Sequence, residues 1–309
     1  MSTVPAIAVE RLCKEFRGKK RAKVLALQEL SFAVEAGEVF GFLGPNGAGK
    51  STLIKILMGL IFATGGSATL NGMSVHRAEA RRTVGYLPEN PAFYDFLSAH
   101  EYLHLVGGAY GMTSTAIAGQ SDRVLAQVDL LEASKRPIRS FSKGMVQRLG
   151  LAQALLHDPQ LYILDEPMSG LDPLGRALVK EIIRDLRARG KTVFFSTHIT
   201  ADVEALCDRV GILVKGRLEA LDEVETLLQG GILGYSVHVR GLAAEAVPGC
   251  PAREISPGLL EFAVPRELLN EALARIDRQR GTVELIETRR KDLEQFFLEV
   301  VGQRHDSSG

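Results

Sequence analysis

The sequence predicts an α/β fold: a mostly parallel sheet with helices on both faces, followed by a small α+β domain. Three observations predict it. A glycine-rich loop, Gly44-Pro45-Asn46-Gly47-Ala48-Gly49-Lys50-Ser51-Thr52, separates a short apolar run from a helix-forming one. Short apolar strands recur at Leu161 to Leu164 and Val193 to Thr197, with an amphipathic helix, about Leu174 to Arg189, between them. That alternation argues for parallel pairing. After Gly231 the chain turns to short strands and two helices without a chemical motif.

The elements follow in order. Residues 7–43 alternate apolar and polar positions (Ile7-Ala8-Val9, Leu25-Ala26-Leu27, Leu30 to Val34), which suits antiparallel strands. Val39 to Leu43 reads as a buried strand, and Leu53 to Met58 as the first turns of a helix. Asn71-Gly72 is a turn signal closing a strand at Ser67 to Leu70. Tyr94 to Leu131 becomes helical, with breaks near 107–111 and 119–121. Gly190 closes the Leu174 to Arg189 helix as a C-terminal cap. Gly230-Gly231 reads as a hinge, and 232–302 as a separate domain: strands at Tyr235 to Arg240, Leu259 to Val264 and Thr282 to Glu287, helices at Glu267 to Arg280 and Asp292 to Val300. Residues 303–309 read as a disordered polar tail.

Composition narrows the function. Thirty-seven basic and 37 acidic residues balance to zero, so nothing in the charge points to nucleic acid. Cys13, Cys207 and Cys250 are far apart and match no metal spacing, which suits reduced thiols. The N-terminus lacks a basic segment followed by an apolar core, and no apolar run reaches the length of a membrane span. The expectation is a cytoplasmic polypeptide, able to sit against a membrane through a partner. The basic stretch Arg17 to Lys23 reads as a solvated loop, with contact to anionic lipid headgroups as the other option.

The loop carries the first chemistry. Its glycines let the backbone turn several N–H groups toward phosphate oxygens, and the helix that follows adds its positive end. Lys50 can reach the β- and γ-phosphates, and the Ser51 hydroxyl can ligate Mg²⁺. A nucleoside triphosphate is the implied ligand. Leu161-Tyr162-Ile163-Leu164-Asp165-Glu166 adds a buried strand ending in two carboxylates. Asp165 can hold Mg²⁺ through water, and Glu166 can polarise an attacking water. An acidic pair alone is a weak signal; beside Gly44 to Thr52 it is strong.

Two further segments complete a set: Ser140-Phe141-Ser142-Lys143-Gly144-Met145-Val146-Gln147-Arg148 before Asp165, and Ser169-Gly170-Leu171-Asp172 after it, with His198 ending the next strand. Over residues 4–225 this set resembles the ATP-binding subunit of ABC transporters, whose ATP-binding domain would span 4–230. The resemblance implies a P-loop NTPase core with an antiparallel β-subdomain, an α-helical subdomain at about 92–140 and the small C-terminal domain. It implies ATP and Mg²⁺, and a second ATP-binding subunit, with a homodimer the expectation. Ser142, Lys143 and Gly144 would then reach the γ-phosphate held by the partner's loop, Asp172 would join the two sites, and His198 would touch the γ-phosphate. Phe16 sits where an aromatic ring stacks on adenine in that family; an aromatic near a strand start also serves as core. A histidine at a strand end is ordinarily a satisfied polar group, and the motif set is what singles out His198.

The chain departs from the family pattern twice. Glu89, in Tyr86-Leu87-Pro88-Glu89, replaces a glutamine and brings a second carboxylate toward Mg²⁺. Phe141 to Met145 reads Phe-Ser-Lys-Gly-Met rather than Leu-Ser-Gly-Gly-Gln. Both variants, and the ending Asp292 to Leu298, resemble the exporter branch whose permease is a separate chain. The implied function is ATP-driven dimer closure powering an integral membrane permease. A soluble ABC ATPase acting on nucleic acid or ribosomes is the alternative. The single cassette and the short interval between Thr52 and Phe141 argue against it.

His100-Glu101-Tyr102-Leu103-His104 matches the zinc-peptidase pattern H-E-x-x-H. The expected third histidine is Tyr110, and no other segment supports a zinc site. The same stretch lies where the family has the helical subdomain that meets the permease.

Overall fold

A computed structural model describes residues 4–17, 23–229, 232–290 and 293–306. The middle of the basic stretch, 18–22, and the Gly230-Gly231 hinge lie outside the described residues. The chain divides into two compact units, 1–224 and 225–309.

The first unit opens with β1 (Ile7–Arg17) and β2 (Lys23–Val34), paired antiparallel. Next come β3 (Val39–Leu43), α1 (Lys50–Leu57), β4 (Gly65–Leu70) and β5 (Met73–Ser74). Asn71 and Gly72 both hold positive φ (47° and 74°) in the turn joining β4 to β5, which is why that dipeptide reads as a turn. These strands form an antiparallel sheet in the order β2-β1-β4-β5. β3 does not belong to it, although it ends the 7–43 stretch read as antiparallel. All five of its residues are buried, and it pairs parallel with a strand on each side. Continuous burial is the mark of a central parallel strand.

α2 (Ala78–Arg82) leads to β6 (Val84–Leu87), and the chain then turns helical through α3 (Ala99–Ala109), α4 (Ser114–Gln127) and α5 (Lys143–Leu155). The break expected near 119–121 is absent. α4 runs through Gly119 because Thr113 caps its start and Ile117, Ser121, Val124 and Leu125 bury one stripe. Tertiary burial outweighs the ~1 kcal/mol that one glycine costs a helix.

β7 (Leu161–Asp165), α6 (Pro173–Ala188), β8 (Thr192–Thr197), α7 (Thr200–Leu206), β9 (Arg209–Val214) and β10 (Arg217–Glu223) complete the unit. The central sheet runs β10-β9-β3-β8-β7-β6, parallel except for the β10–β9 pair. Its register sets Leu43 opposite Thr197 and Ser196 opposite Asp165, so three chain exits share one edge. Phe32 of β2 lies over this sheet, its ring 5.7 Å from Phe40 and Phe42 and 6.3 Å from Phe194. Each fully buried ring contributes roughly 1.5–3 kcal/mol. The cluster locks the antiparallel sheet onto the parallel one.

The second unit begins with α8 (Val224–Gln229) at the boundary and continues through β11 (Ile232–Arg240), β12 (Ala252–Ser256), β13 (Leu259–Pro265), α9 (Leu269–Arg278), β14 (Thr282–Arg290) and α10 (Leu293–Asp306). Its antiparallel sheet, β12-β13-β11-β14, buries Val237, Val239, Phe262 and Val264 with Ala272 and Ile276 of α9. α10 runs on to Asp306, through residues expected to be a tail; 307–309 lie outside the described residues.

Behind α5, the ring of His157 stacks on Tyr110, centroids 3.8 Å apart. Burial pushes the His157 imidazole down to about 4. The unfolded chain therefore takes up a proton near the ordinary 6.5 while the folded chain stays neutral, and stability falls as pH drops from about 6.5 to about 4. Urea unfolding at pH 7 and pH 5 should show this loss, and His157→Phe, which keeps the ring stack, should reduce it.

Candidate active site

The loop after β3 is shaped by close backbone contact. A Cβ on Gly44 would lie 2.5 Å from the Leu213 carbonyl oxygen, and one on Gly49 2.5 Å from that of Ala26. Gly47 and Gly49 hold φ of 79° and 115°, conformations that only glycine adopts without strain. Gly49 is the N-cap of α1 and supplies no capping side chain, so the first-turn N–H groups remain available to an anion. Pro45 to Thr52, with Val24, Ala26, Glu89 and Glu166, line a cleft of about 310 Å³.

Lys50 is 5% exposed. Its Nζ donates to the carbonyls of Gly44 (2.7 Å) and Pro45 (3.3 Å) and lies 3.3 Å from Glu166 Oε1. Nδ1 of His198 is 3.2 and 3.1 Å from the two Glu166 carboxylate oxygens. Glu166 follows the last residue of β7 with φ of 49°. A left-handed conformation costs a non-glycine residue roughly 1–2 kcal/mol. The backbone turn carries the Glu166 carboxylate away from the β7 axis and between Lys50 and His198.

Asp165 is buried at the end of β7. Its Oδ1 accepts from Ser196 Oγ (2.6 Å) and Ser51 Oγ (3.3 Å). Burial raises its carboxyl above the usual carboxylate range; these two hydroxyls oppose the rise, Glu89 adds to it and Lys50 opposes it. The Asp165 charge reinforces burial in pushing the Tyr86 phenol up to about 12. Among the described residues no three His, Cys, Asp or Glu cluster as a metal site. Mg²⁺ needs no such cluster, since it binds through one or two carboxylates, waters and the substrate's own phosphates. The paired oxygens of Ser51 and Asp165, with Glu89 on the same cleft, fit that chemistry.

Comparison with known proteins identifies the family. A family model described as ABC transporter matches residues 27–169. An uncharacterized ABC transporter ATP-binding protein of Nostoc sp. is 39% identical over 292 residues, 93% of this chain and 86% of that protein. The linearmycin resistance ATP-binding protein LnrL of Bacillus subtilis is 32% identical over 301 residues, 92% of this chain and 96% of LnrL. A solved ATP-binding subunit of an ABC transporter superposes with a TM-score of 0.66 at 33% identity, covering 72% of this chain and 91% of that one. This chain belongs to the ATP-binding subunits of ABC transporters.

As an ABC ATP-binding subunit it is a P-loop ATPase that binds and hydrolyses ATP to drive a membrane permease. Membership also implies use of ATP with Mg²⁺. No helix among the described residues is long and apolar enough to cross a membrane. An ATP-binding cassette solved as a dimer, bound to ADP and Pi after hydrolysis, shares the fold at 23% identity and a TM-score of 0.65.

The remaining sequence-derived residues lie apart from the cleft lining. Ser142 caps α5, its Oγ accepting from the Met145 N–H at 3.2 Å, and Asp172 caps α6 by accepting from the Gly175 N–H at 2.8 Å. Ser142, Lys143 and Asp172 are exposed, and Gly144 is half-buried. Phe16 is 40% exposed, with Lys14 Nζ 4.8 Å from its ring centre. Its register partner is Val24, which does line the cleft.

Two of the H-E-x-x-H residues have other work. Glu101 closes a capping box at the start of α3, accepting from the Ser98 N–H at 2.8 Å. Nε2 of His100 is 3.2 Å from Asp122 of α4.

Two residues of the site carry no role in the sequence reading. Ser196 accepts from the Glu166 N–H at 2.9 Å while donating to Asp165. Gln147 of α5 extends its amide to the carbonyls of Glu166 and Pro167, both at 3.4 Å. A hydroxyl two positions before His198 in an apolar strand is the faint signal for the first; Gln147 has none beyond its place in the Ser140 to Arg148 segment. Replacing Gly49 with alanine should destabilise the fold by about 2 kcal/mol or more, measured by urea unfolding, because the strained φ and the Ala26 carbonyl both oppose a side chain.

Proposed function

We propose that two copies of this chain enclose two ATP molecules and drive a separate permease in the export direction. The observation that carries the proposal is the constellation beside the phosphate loop in which buried Lys50 and Glu166 meet the more exposed His198. In this reading the loop N–H groups and Lys50 hold the β- and γ-phosphates. Ser51 and Asp165 would hold Mg²⁺, with Glu89 near it. When bound, the ion would neutralise phosphate charge and polarise the γ-phosphoryl group.

Glu166 is the general base for the attacking water. Its carboxylate reaches toward the cleft, and His198 orients it while remaining exposed enough to meet the γ-phosphate. Ser142, Lys143 and Gly144 complete the partner's site. Support comes from their place at the exposed N-terminus of α5, where N–H groups and a lysine favour phosphate. Asp172, exposed at the start of α6, lies between the two sites in the dimer. Phe16 stacks on adenine beside Val24.

Docking to the permease is assigned to the helical region. Tyr94 and Phe96, just before α3, are 58% and 66% exposed with ring centres 6.0 Å apart. Through that contact the subunit sits on the cytoplasmic face of the membrane. The export direction draws on the relative named for linearmycin resistance, similar over nearly its whole length. Two discrete domains complete the reading, divided near residue 225, a few residues before the boundary expected between 230 and 232.

Glu166→Gln should bind ATP, shift from monomer to dimer with ATP and Mg²⁺, and lose turnover by at least about a hundredfold. Light scattering with and without nucleotide, paired with phosphate release, reads both effects. A monomer despite demonstrated ATP binding would count against the enclosed pair, and near wild-type turnover would remove Glu166 as base. Mixing Ser142→Ala with Lys50→Ala should leave one intact composite site per heterodimer, so the mixture should hydrolyse faster than either variant alone. No gain on mixing would overturn the exchange between subunits.

A further inference from the structure

We infer that Ser196 is a positioning residue for ATP hydrolysis, one hydroxyl that sets both the metal-side carboxylate of Asp165 and the backbone turn that aims Glu166. The inference rests on the proposed role of Glu166 as base. Ser196 has zero exposure and lies on β8 opposite Asp165 in the parallel register. Its Oγ donates to Asp165 Oδ1 at 2.6 Å and accepts from the Glu166 N–H at 2.9 Å. A hydroxyl donates and accepts at once, which no apolar side chain at this position can do.

The two bonds reach the two carboxylates by different routes. Asp165 is held at its side chain, through Oδ1. Glu166 is held at its backbone, at the point where φ is 49° and the chain leaves β7. A left-handed residue persists only where its surroundings over-determine it. Here Ser196 supplies one constraint, and Gln147, reaching the carbonyls of Glu166 and Pro167, supplies another. Without the hydroxyl, a buried N–H and a buried carboxylate oxygen each lose a partner, and the turn can relax toward ordinary φ. The Glu166 carboxylate would then leave its place between Lys50 and His198. Ser196 and His198 are two residues apart, so the same stretch of chain fixes the base's turn and the base's imidazole partner.

The test compares Ser196→Thr with Ser196→Val, which share a shape and differ by the hydroxyl. Ser196→Thr should retain most of the wild-type kcat. Ser196→Val should lose kcat roughly ten- to a hundredfold, the scale of a misplaced catalytic group. Equilibrium ATP affinity, measured with Mg²⁺ in a Glu166→Gln background where turnover is blocked, should change by less than about threefold on adding Ser196→Val. Residual kcat in that background should fall by much less than in the wild-type background, because the larger part of the serine's effect passes through the base. If Ser196→Val does not fold, Ser196→Ala, which only deletes the hydroxyl, takes its place. Equal kcat for the Thr and Val variants would overturn the inference, as would a loss of ATP affinity as large as the loss of kcat. Near wild-type turnover by Glu166→Gln alone would instead remove the base assignment, and this inference with it.

Discussion

Parallel pairing of β3, β8 and β7 in one register is the constraint on which the site depends. It brings Leu43 beside Thr197, and Asp165 beside Ser196. The phosphate loop, the acidic pair and His198 are far apart in sequence, yet each leaves the sheet at its carboxyl edge. That edge is where open parallel sheets bind ligands. The Gly44 N–H donates to the Thr197 carbonyl at 3.2 Å, carrying the pairing one step past the strand ends. A slip of one residue would turn Asp165 to the opposite face and dissolve the constellation. The stacked rings of Phe32, Phe40, Phe42 and Phe194 oppose such a slip, because each must keep its face.

Burying charge there is possible because each charge is met. The three donors of Lys50 face two loop carbonyls and Glu166. The Glu166 carboxylate also faces His198, and its N–H is taken by Ser196. A buried charge left alone costs several kcal/mol, so these partners hold the side chains in place. Asp165 differs from Glu166 in this respect. Its polar contacts are hydroxyls rather than a cation, and burial raises its carboxyl. A site that keeps one carboxylate paired with lysine and leaves the other facing hydroxyls is prepared to receive positive charge at the second.

Helix caps do much of the remaining work in the first unit. Ser98, Thr113, Ser142 and Asp172 each accept from a backbone N–H at the start of a helix. Two of these caps, Ser142 and Asp172, carry roles in the proposed dimer. The same residue type thus ends a loop stably in the free chain and leaves a positive helix end exposed. In the second unit α9 starts without a side-chain cap and covers one face of its antiparallel sheet around its own apolar core.

The contiguous parts of the candidate site are legible along the chain. Gly44 to Thr52 fixes a loop because its glycines, lysine and hydroxyls act on neighbours a few positions away, and Leu161 to Glu166 fixes a strand with carboxylates at its end. Strands β6, β9, β10 and β12 lie outside that reading, because their residues gain a strand's meaning only beside partners distant in sequence. The full α4, despite Gly119, was decided by a buried stripe that local propensity does not see. The H-E-x-x-H pattern looked chemical until Glu101 and His100 took up a cap and an ion pair. Tertiary structure alone decided Ser196 and Gln147. Neither belongs to a spacing rule, since each acts through a hydrogen bond to residues 30 and 19 or 20 positions away. Local chemistry is written along the chain; the aim of Glu166 exists only where β7, β8 and α5 meet.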